Sequence, residues 1–162
     1  MARVYVSIGS NIEREQNIRA GVADLKARFG TLLLSSVYES EAVGFAGDSF
    51  YNLVAGFDTA LTPQQVAAEL RAIEEAHGRV RNGPRFSSRT LDIDLLLYDD
   101  LVLHQGKLEI PRDEITKNAF VLWPLAEIAP QLEHPQLGVT YGVLWDSFDK
   151  QSQPLWPVEF SF

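Results

Sequence analysis

Residues 91–98 read Leu91-Asp92-Ile93-Asp94-Leu95-Leu96-Leu97-Tyr98. The alternation at the start of this stretch predicts a β-strand, with Leu91, Ile93 and Leu95 on one face and Asp92 and Asp94 on the other. What lies upstream makes it the fourth strand of an ordered set. Directly before it, residues 78–88 form a polar loop with Gly83-Pro84 at its centre. Before the loop, Val66, Leu70, Ile73 and His77 mark one face of a helix. Thr62-Pro63-Gln64-Gln65 opens that helix with an N-cap, a first-turn proline and a capping-box glutamine, and Gly78 ends it. Residues 50–59 and 31–40 read as two strands, separated by a glycine-containing loop at 43–49. Further back, Ile18, Val22, Leu25 and Phe29 recur at helical spacing, with Gly30 at the C-cap. Residues 3–8 are a first strand with Val4, Val6 and Ile8 on one face, and Gly9-Ser10-Asn11 then breaks it with turn residues.

The order is β-α-β-β-α-β. This predicts an α+β, ferredoxin-like sandwich whose antiparallel sheet carries both helices on one face. Downstream, residues 101–103 and 108–110 predict a hairpin around Gln105-Gly106. Residues 120–128 predict a short helix interrupted or started near Pro124, and the tail from Pro130 is expected to be mostly irregular. This hairpin and helix form a C-terminal extension of the sandwich. Repeats, low-complexity tracts and long linkers are absent from the sequence, so residues 1–162 are expected to form one domain.

Composition narrows the function classes. The sequence has no cysteine, which excludes disulfides, thiolate metal sites and thiol catalysis. No apolar run approaches the ~20 residues that a membrane helix needs, and no export signal precedes the first strand. A cytoplasmic protein without membrane association is therefore expected. The net charge of −8 repels nucleic acid, and it repels nucleoside triphosphates as well. Phosphate chemistry would need a local concentration of cations, and Arg79, Arg81, Arg85 and Arg89 supply one immediately before Asp92.

Side chains two apart on a strand point the same way, with backbones roughly 6.6 Å apart. Asp92 and Asp94 at that spacing suit one or two Mg²⁺ ions, which take hard oxygen ligands. Taken alone, an Asp-x-Asp is more often a solvated strand face. The neighbouring arginines favour the metal, because guanidinium forks for phosphate beside acids for Mg²⁺ are the equipment of phosphoryl transfer. Phe50 and Asn52 share a strand face; alone the pair is more often core packing with a satisfied amide, but it also offers a ring to stack on a flat heterocycle and an amide to read its mixed edge. Glu74 either supports Arg79 or is helix surface. His77, His104 and His134 show no metal spacing, and Trp123, Trp145 and Trp156 read as core or tail anchors.

Five segments together resemble a known family. Gly9-Ser10-Asn11, Phe50-Tyr51-Asn52, Gly78-Arg79-Val80-Arg81, Arg89-Thr90-Leu91-Asp92-Ile93-Asp94 and Phe120-Val121-Leu122-Trp123-Pro124-Leu125 look like 6-hydroxymethyl-7,8-dihydropterin pyrophosphokinases of the folate pathway. The resemblance runs from residue 3 to about residue 130. It implies a ferredoxin-like fold, ATP as co-substrate, two Mg²⁺ ions, and attack of the pterin hydroxymethyl oxygen on the β-phosphorus with release of AMP. It further implies that Asp92 and Asp94 hold the metals and that Arg79 and Arg89 neutralise the phosphates. Glu74, Arg81, Arg85 and Arg112 would contact ATP. Phe50 and Phe120 would sandwich the pterin, with Asn52 on its edge. The backbone at Ser40, Val43 and Gly44 would close the pocket, and residues 78–88 would be a mobile catalytic loop.

The chain departs from the family pattern at Ser87-Ser88, Arg112, Asp113 and Asn118. A usual Gly-Pro, histidine, proline and arginine, respectively, are replaced there. An alternative is therefore a divergent paralogue acting on another pterin, or a non-catalytic pterin- or nucleotide-binding module. In each case the partners are small molecules, and the chain is expected to act as a monomer.

Overall fold

The computed structural model describes residues 1–40, 49–78 and 91–162. Strand β1 spans Ala2–Ser10, helix α1 Arg14–Phe29, β2 Leu33–Leu34, β3 Val37–Ser40, β4 Phe50–Thr59 and α2 Pro63–Ala76. Strand β5 follows at Asp92–Tyr98, β6 at Leu103–Gln105, β7 at Leu108–Ile110, α3 at Ala119–Ile128, α4 at Tyr141–Asp146 and β8 at Leu155–Val158. Among the described residues the main sheet has six strands in the order β5-β1-β4-β3-β8, with β2 also on β4. Its pairs are antiparallel.

The predicted βαββαβ core is present, and both of its helices lie on one face. There Ile18, Val22 and Leu25 of α1 and Val66, Leu70 and Ile73 of α2 pack on Val4, Val6 and Ile8 of β1 and on Leu91, Ile93 and Leu95. The Thr62 capping box is formed in full: the side chain accepts the Gln65 N–H at 3.2 Å, and the Gln65 side chain accepts the Thr62 N–H at 2.9 Å. The opposite face is covered by α3 and α4. Tyr5, Val54, Leu96 and Leu97 of the sheet pack there against Val121, Leu122, Leu125 and Tyr141. Leu96 and Leu97 can both face this layer because the β1–β5 register shifts between Tyr5 and Val6.

Several expectations need correction. Gly9 and Ser10 do not end the first strand; they pair with Asn52 and Tyr51, so β1 runs two residues further and turns at Asn11. The strand expected over residues 31–40 is divided in two. The Ser35 N–H still donates to the Val54 carbonyl at 2.9 Å, but the Ser35 hydroxyl accepts the Val54 N–H at 2.9 Å and the Ser36 N–H turns out to the Glu127 carboxylate at 3.0 Å, so side chains interrupt the ladder between β2 and β3. The helix near Pro124 runs through the proline, because its apolar residues are held between the sheet and α4 and compensate the one missing helical hydrogen bond. The tail from Pro130 is irregular over most of its length, as expected, but it also carries two short elements. It forms α4, capped by Thr140, and β8, which adds an edge strand to β3 with Pro157 opposite Tyr38. An edge tolerates a proline because the N–H it lacks is not needed on the open side. The hairpin around Gln105-Gly106 is present, its first strand beginning at Leu103.

Candidate active site

The candidate site lies on the sheet face opposite α1 and α2. Residues directly opposite in a ladder share a face, and here one row crosses four strands: Tyr38, Asn52, Gly9 and Asp92. The next row places Val54, Ser7 and Asp94 side by side. Leu91, Ile93 and Leu95 are buried against the helices, so the alternation forces Asp92 and Asp94 to the other side. The predicted facing of the two acids is therefore correct. Asn52 is two residues from Phe50 on the same side of β4, and α3 packs over β3 and β4, bringing Phe120 in its first turn to this layer.

Asp94 keeps 24% of its side-chain surface exposed, and its Oδ1 is 3.5 Å from Arg112 Nη2. The same Nη2 is 3.2 Å from Glu114 Oε1. The Arg112 N–H donates to the Leu96 carbonyl at 3.0 Å, docking the segment after β7 on β5 and fixing where the guanidinium reaches. Arg112 Nε is buried and has no hydrogen-bond partner among the described residues. Burial works against the Arg112 charge, but Asp94, Glu114 and Asp92 outweigh it and raise its proton affinity. The proton affinity of Asp94 rises too, which in its case favours the neutral form. Burial, and then the charge of Asp92, push its carboxyl up to about 7, against the pull of Arg112. Glu114 and Glu74 push it the same way.

Glu74 is neither solvated helix surface nor a peripheral group. It is buried near the end of α2, and its Oε2 accepts the Ile93 N–H at 2.9 Å. Ile93 lies between the two acids on a strand that ends the sheet among the described residues, so Glu74 occupies the side of β5 away from β1. Asn52 is buried, and its Nδ2 donates to Ser40 Oγ at 3.3 Å, which ties the amide to the end of β3. Val43 and Gly44, Arg79, Arg81, Arg85 and Arg89, and residues 79–88 of the expected catalytic loop lie outside the described residues.

Sequence reasoning missed two supports of the site. Arg14 Nη1 donates to the Ser49 carbonyl and to Glu39, each at 2.9 Å, and its guanidinium lies 3.9 Å from the Tyr51 ring centroid, fixing the start of β4 beside Phe50. Glu127 of α3 accepts from the Tyr38 hydroxyl at 2.7 Å and from the Ser36 hydroxyl at 2.8 Å, holding α3 on the sheet. These partners are too far apart in the chain for any local pattern to reveal them. The histidines make contacts of their own. His77 Nε2 lies 2.9 Å from Asp24, linking α2 to α1, and His134 Nδ1 accepts from Gln136 and Leu137 in a turn. Trp123 stacks on Trp145, and Trp156 Nε1 donates to Glu39.

The residues present fit magnesium. Among the described residues no three His, Cys, Asp or Glu groups are arranged to hold a metal by themselves. Mg²⁺ is ordinarily bound through one or two carboxylates, completing its shell with water and substrate phosphates. A pair of acids on one strand face, the second pushed up by burial and by the charge of the first, is suited to that mode. No helix among the described residues is long and apolar enough to cross a membrane.

Comparisons with known proteins agree with this arrangement. The family described as 7,8-dihydro-6-hydroxymethylpterin-pyrophosphokinase matches residues 5–130. The 2-amino-4-hydroxy-6-hydroxymethyldihydropteridine pyrophosphokinase of Pseudomonas aeruginosa is 40% identical over 137 residues, covering 82% of this chain and 84% of that protein. Its Aquifex aeolicus counterpart is 35% identical over 137 residues, covering 83% and 85%. A solved HPPK-DHPS structure in complex with substrates superposes with a TM-score of 0.73 at 12% identity, over 93% of this chain and 44% of that one, which supports the fold alone. With the ferredoxin-like core, the paired acids and the family match coinciding over the same residues, the chain belongs to the 7,8-dihydro-6-hydroxymethylpterin-pyrophosphokinase family.

Proposed function

We propose that this chain transfers the pyrophosphoryl group of ATP to the hydroxymethyl oxygen of 6-hydroxymethyl-7,8-dihydropterin, releasing AMP in folate biosynthesis. The observation that carries this reading is the shared face of Asn52, Asp92 and Asp94 across adjacent strands. A group suited to a heterocycle's edge and a pair suited to metal-bound phosphate are held by one rigid sheet. Adjacent strands are ~4.8 Å apart, so Asn52 and Asp92 stand roughly 9.5 Å apart at the backbone, a distance a bicyclic ring with a one-carbon arm can bridge.

In this reading Asp92 and Asp94 hold the Mg²⁺ ions. The ions, when bound, neutralise the phosphates and screen the charge that develops on the bridging oxygen. Asn52 orients the pterin by its edge, and Phe50 and Phe120 hold the ring flat. Glu74 fixes the strand between the two acids. Arg79 and Arg89 stabilise the transferring group, and Arg81, Arg85 and Arg112 bind the triphosphate. Ser40, Val43 and Gly44 close the pterin end. Positioning and electrostatic stabilisation are the main tasks of a phosphoryl-transfer site, and these residues can perform both. The Arg112 substitution favours retained nucleotide binding, since a permanent cation beside Asp94 and Glu114 offsets the net charge of −8. The chain would work as one domain and as a monomer in the cytosol, where ATP is supplied.

The test is paired. Asp92→Ala and Asp94→Ala should leave the far-UV dichroism unchanged and remove Mg²⁺-dependent turnover. Near-normal turnover in either folded variant would reject the metal assignment.

A further inference from the structure

Gly9 lies in β1 between Asn52 and Asp92, opposite both. A Cβ built on Gly9 would stand 2.6 Å from Asn52 Oδ1, far inside van der Waals contact. Its backbone is ordinary strand, without the positive φ found at Gly30 or Gly78. Backbone conformation therefore does not demand glycine here; the space above it does. Nor can the amide easily swing aside. Asn52 is only 7% exposed, and its Nδ2 is held by Ser40 Oγ at 3.3 Å. Gly56 of β4 is also crowded, but there the group overhead is the Tyr5 ring, part of the apolar layer. At Gly9 the group overhead is the polar edge-reading amide, and the next side chain along the row is Asp92.

Resting on the pterin reading above, we propose that Gly9 is a positioning residue that determines substrate binding. Its missing side chain lets the Asn52 amide lie across β1 and leaves a bare floor between that amide and the metal-binding acid. The pterin ring lies over this floor, its edge at Asn52 and its hydroxymethyl arm directed toward Asp92. One added methyl group displaces the amide that holds the ring's edge, while the nucleotide side of the site is untouched.

The test uses Gly9→Ala, Asn52→Ala and the double variant of the full chain. Each is titrated with 6-hydroxymethylpterin in saturating Mg²⁺ and α,β-methylene-ATP, and separately with the Mg²⁺ nucleotide alone. Gly9→Ala should weaken pterin binding about tenfold or more, the scale of a lost buried hydrogen bond, and leave nucleotide affinity within about twofold. In the Asn52→Ala background the same methyl has room, so it should cost less than about threefold, giving a clear coupling between the two sites. If Gly9→Ala does not fold, the double variant should recover the fold, and its failure to do so would overturn the proposal. Pterin binding by the natural chain with no effect of Gly9→Ala, or an equal effect in both backgrounds, would overturn it alone. Failure of the natural chain to bind the pterin at all would remove the pterin reading and this proposal together.

Discussion

Asp94→Asn should stabilise the metal-free protein at alkaline pH and have little effect at acid pH. In the folded chain, burial and the neighbouring Asp92 raise the Asp94 carboxyl from 3.8 to about 7. The unfolded chain has an ordinary carboxylate. Between about pH 4 and pH 7 the folded state therefore binds a proton that the unfolded state does not, so this group's contribution falls as pH rises across that window. A rise of that size corresponds to at most ~4 kcal/mol of strain in the ionised form at about pH 8. The side chain is 24% exposed, and the variant also loses the attraction of Arg112 at 3.5 Å, so roughly half that value should be recovered. For a domain of this size ~2 kcal/mol corresponds to ~4–8 °C in Tm. The assay is thermal unfolding of both proteins in chelator at about pH 8 and about pH 4, the lower end of that window. The variant should melt higher at the first pH and nearly coincide with the natural chain at the second. An equal offset at both values would show that Asp94 is not held ionised against its environment, and the electrostatic account of the paired acids would fail.

Arg112→Ala should weaken the affinity for an ATP analogue ten- to a hundred-fold, the ~1.5–3 kcal/mol of one charge-assisted contact, with pterin affinity little changed; unaltered nucleotide binding would leave Arg112 as a partner of Asp94 and Glu114 only. Arg79→Ala and Arg89→Ala should lower turnover at least a hundred-fold without lowering Tm, and turnover within tenfold of normal would remove them from the catalytic set. Tyr38→Phe deletes the hydroxyl that donates to Glu127 at 2.7 Å and should cost ~0.5–1.5 kcal/mol in urea unfolding, the net worth of one hydrogen bond whose exposed carboxylate can turn to water; no change in midpoint would mean that α3 is held by its apolar face alone.

The core order of the fold was legible because each element carried its own local signal. The Thr62 capping box, the alternation at residues 91–95 and the helical spacing of Ile18, Val22 and Leu25 needed no distant partner to be read. The misreadings share a different cause. The break at Ser35-Ser36 is made by Val54 and Glu127, and β8 exists because β3 offers it an edge, so neither could be seen from neighbouring residues. The facing of Asp92 and Asp94 followed from strand periodicity alone. The alignment of Asn52 with Asp92 through Gly9 did not, because it depends on the registers of two separate strand pairs. Glu74 was ambiguous for the same reason: its partner is a backbone N–H on another element. The pterin and the role of Phe120 came only from family resemblance.

The central claim is most directly tested by following AMP formation from ATP with purified protein, Mg²⁺ and 6-hydroxymethyl-7,8-dihydropterin, alongside a reaction without the pterin and one with chelator. The account predicts AMP and the pterin pyrophosphate in equal amounts in the complete reaction, and neither in the two controls. AMP appearing at the same rate without the pterin, or no AMP in the complete reaction from a folded protein, would contradict it.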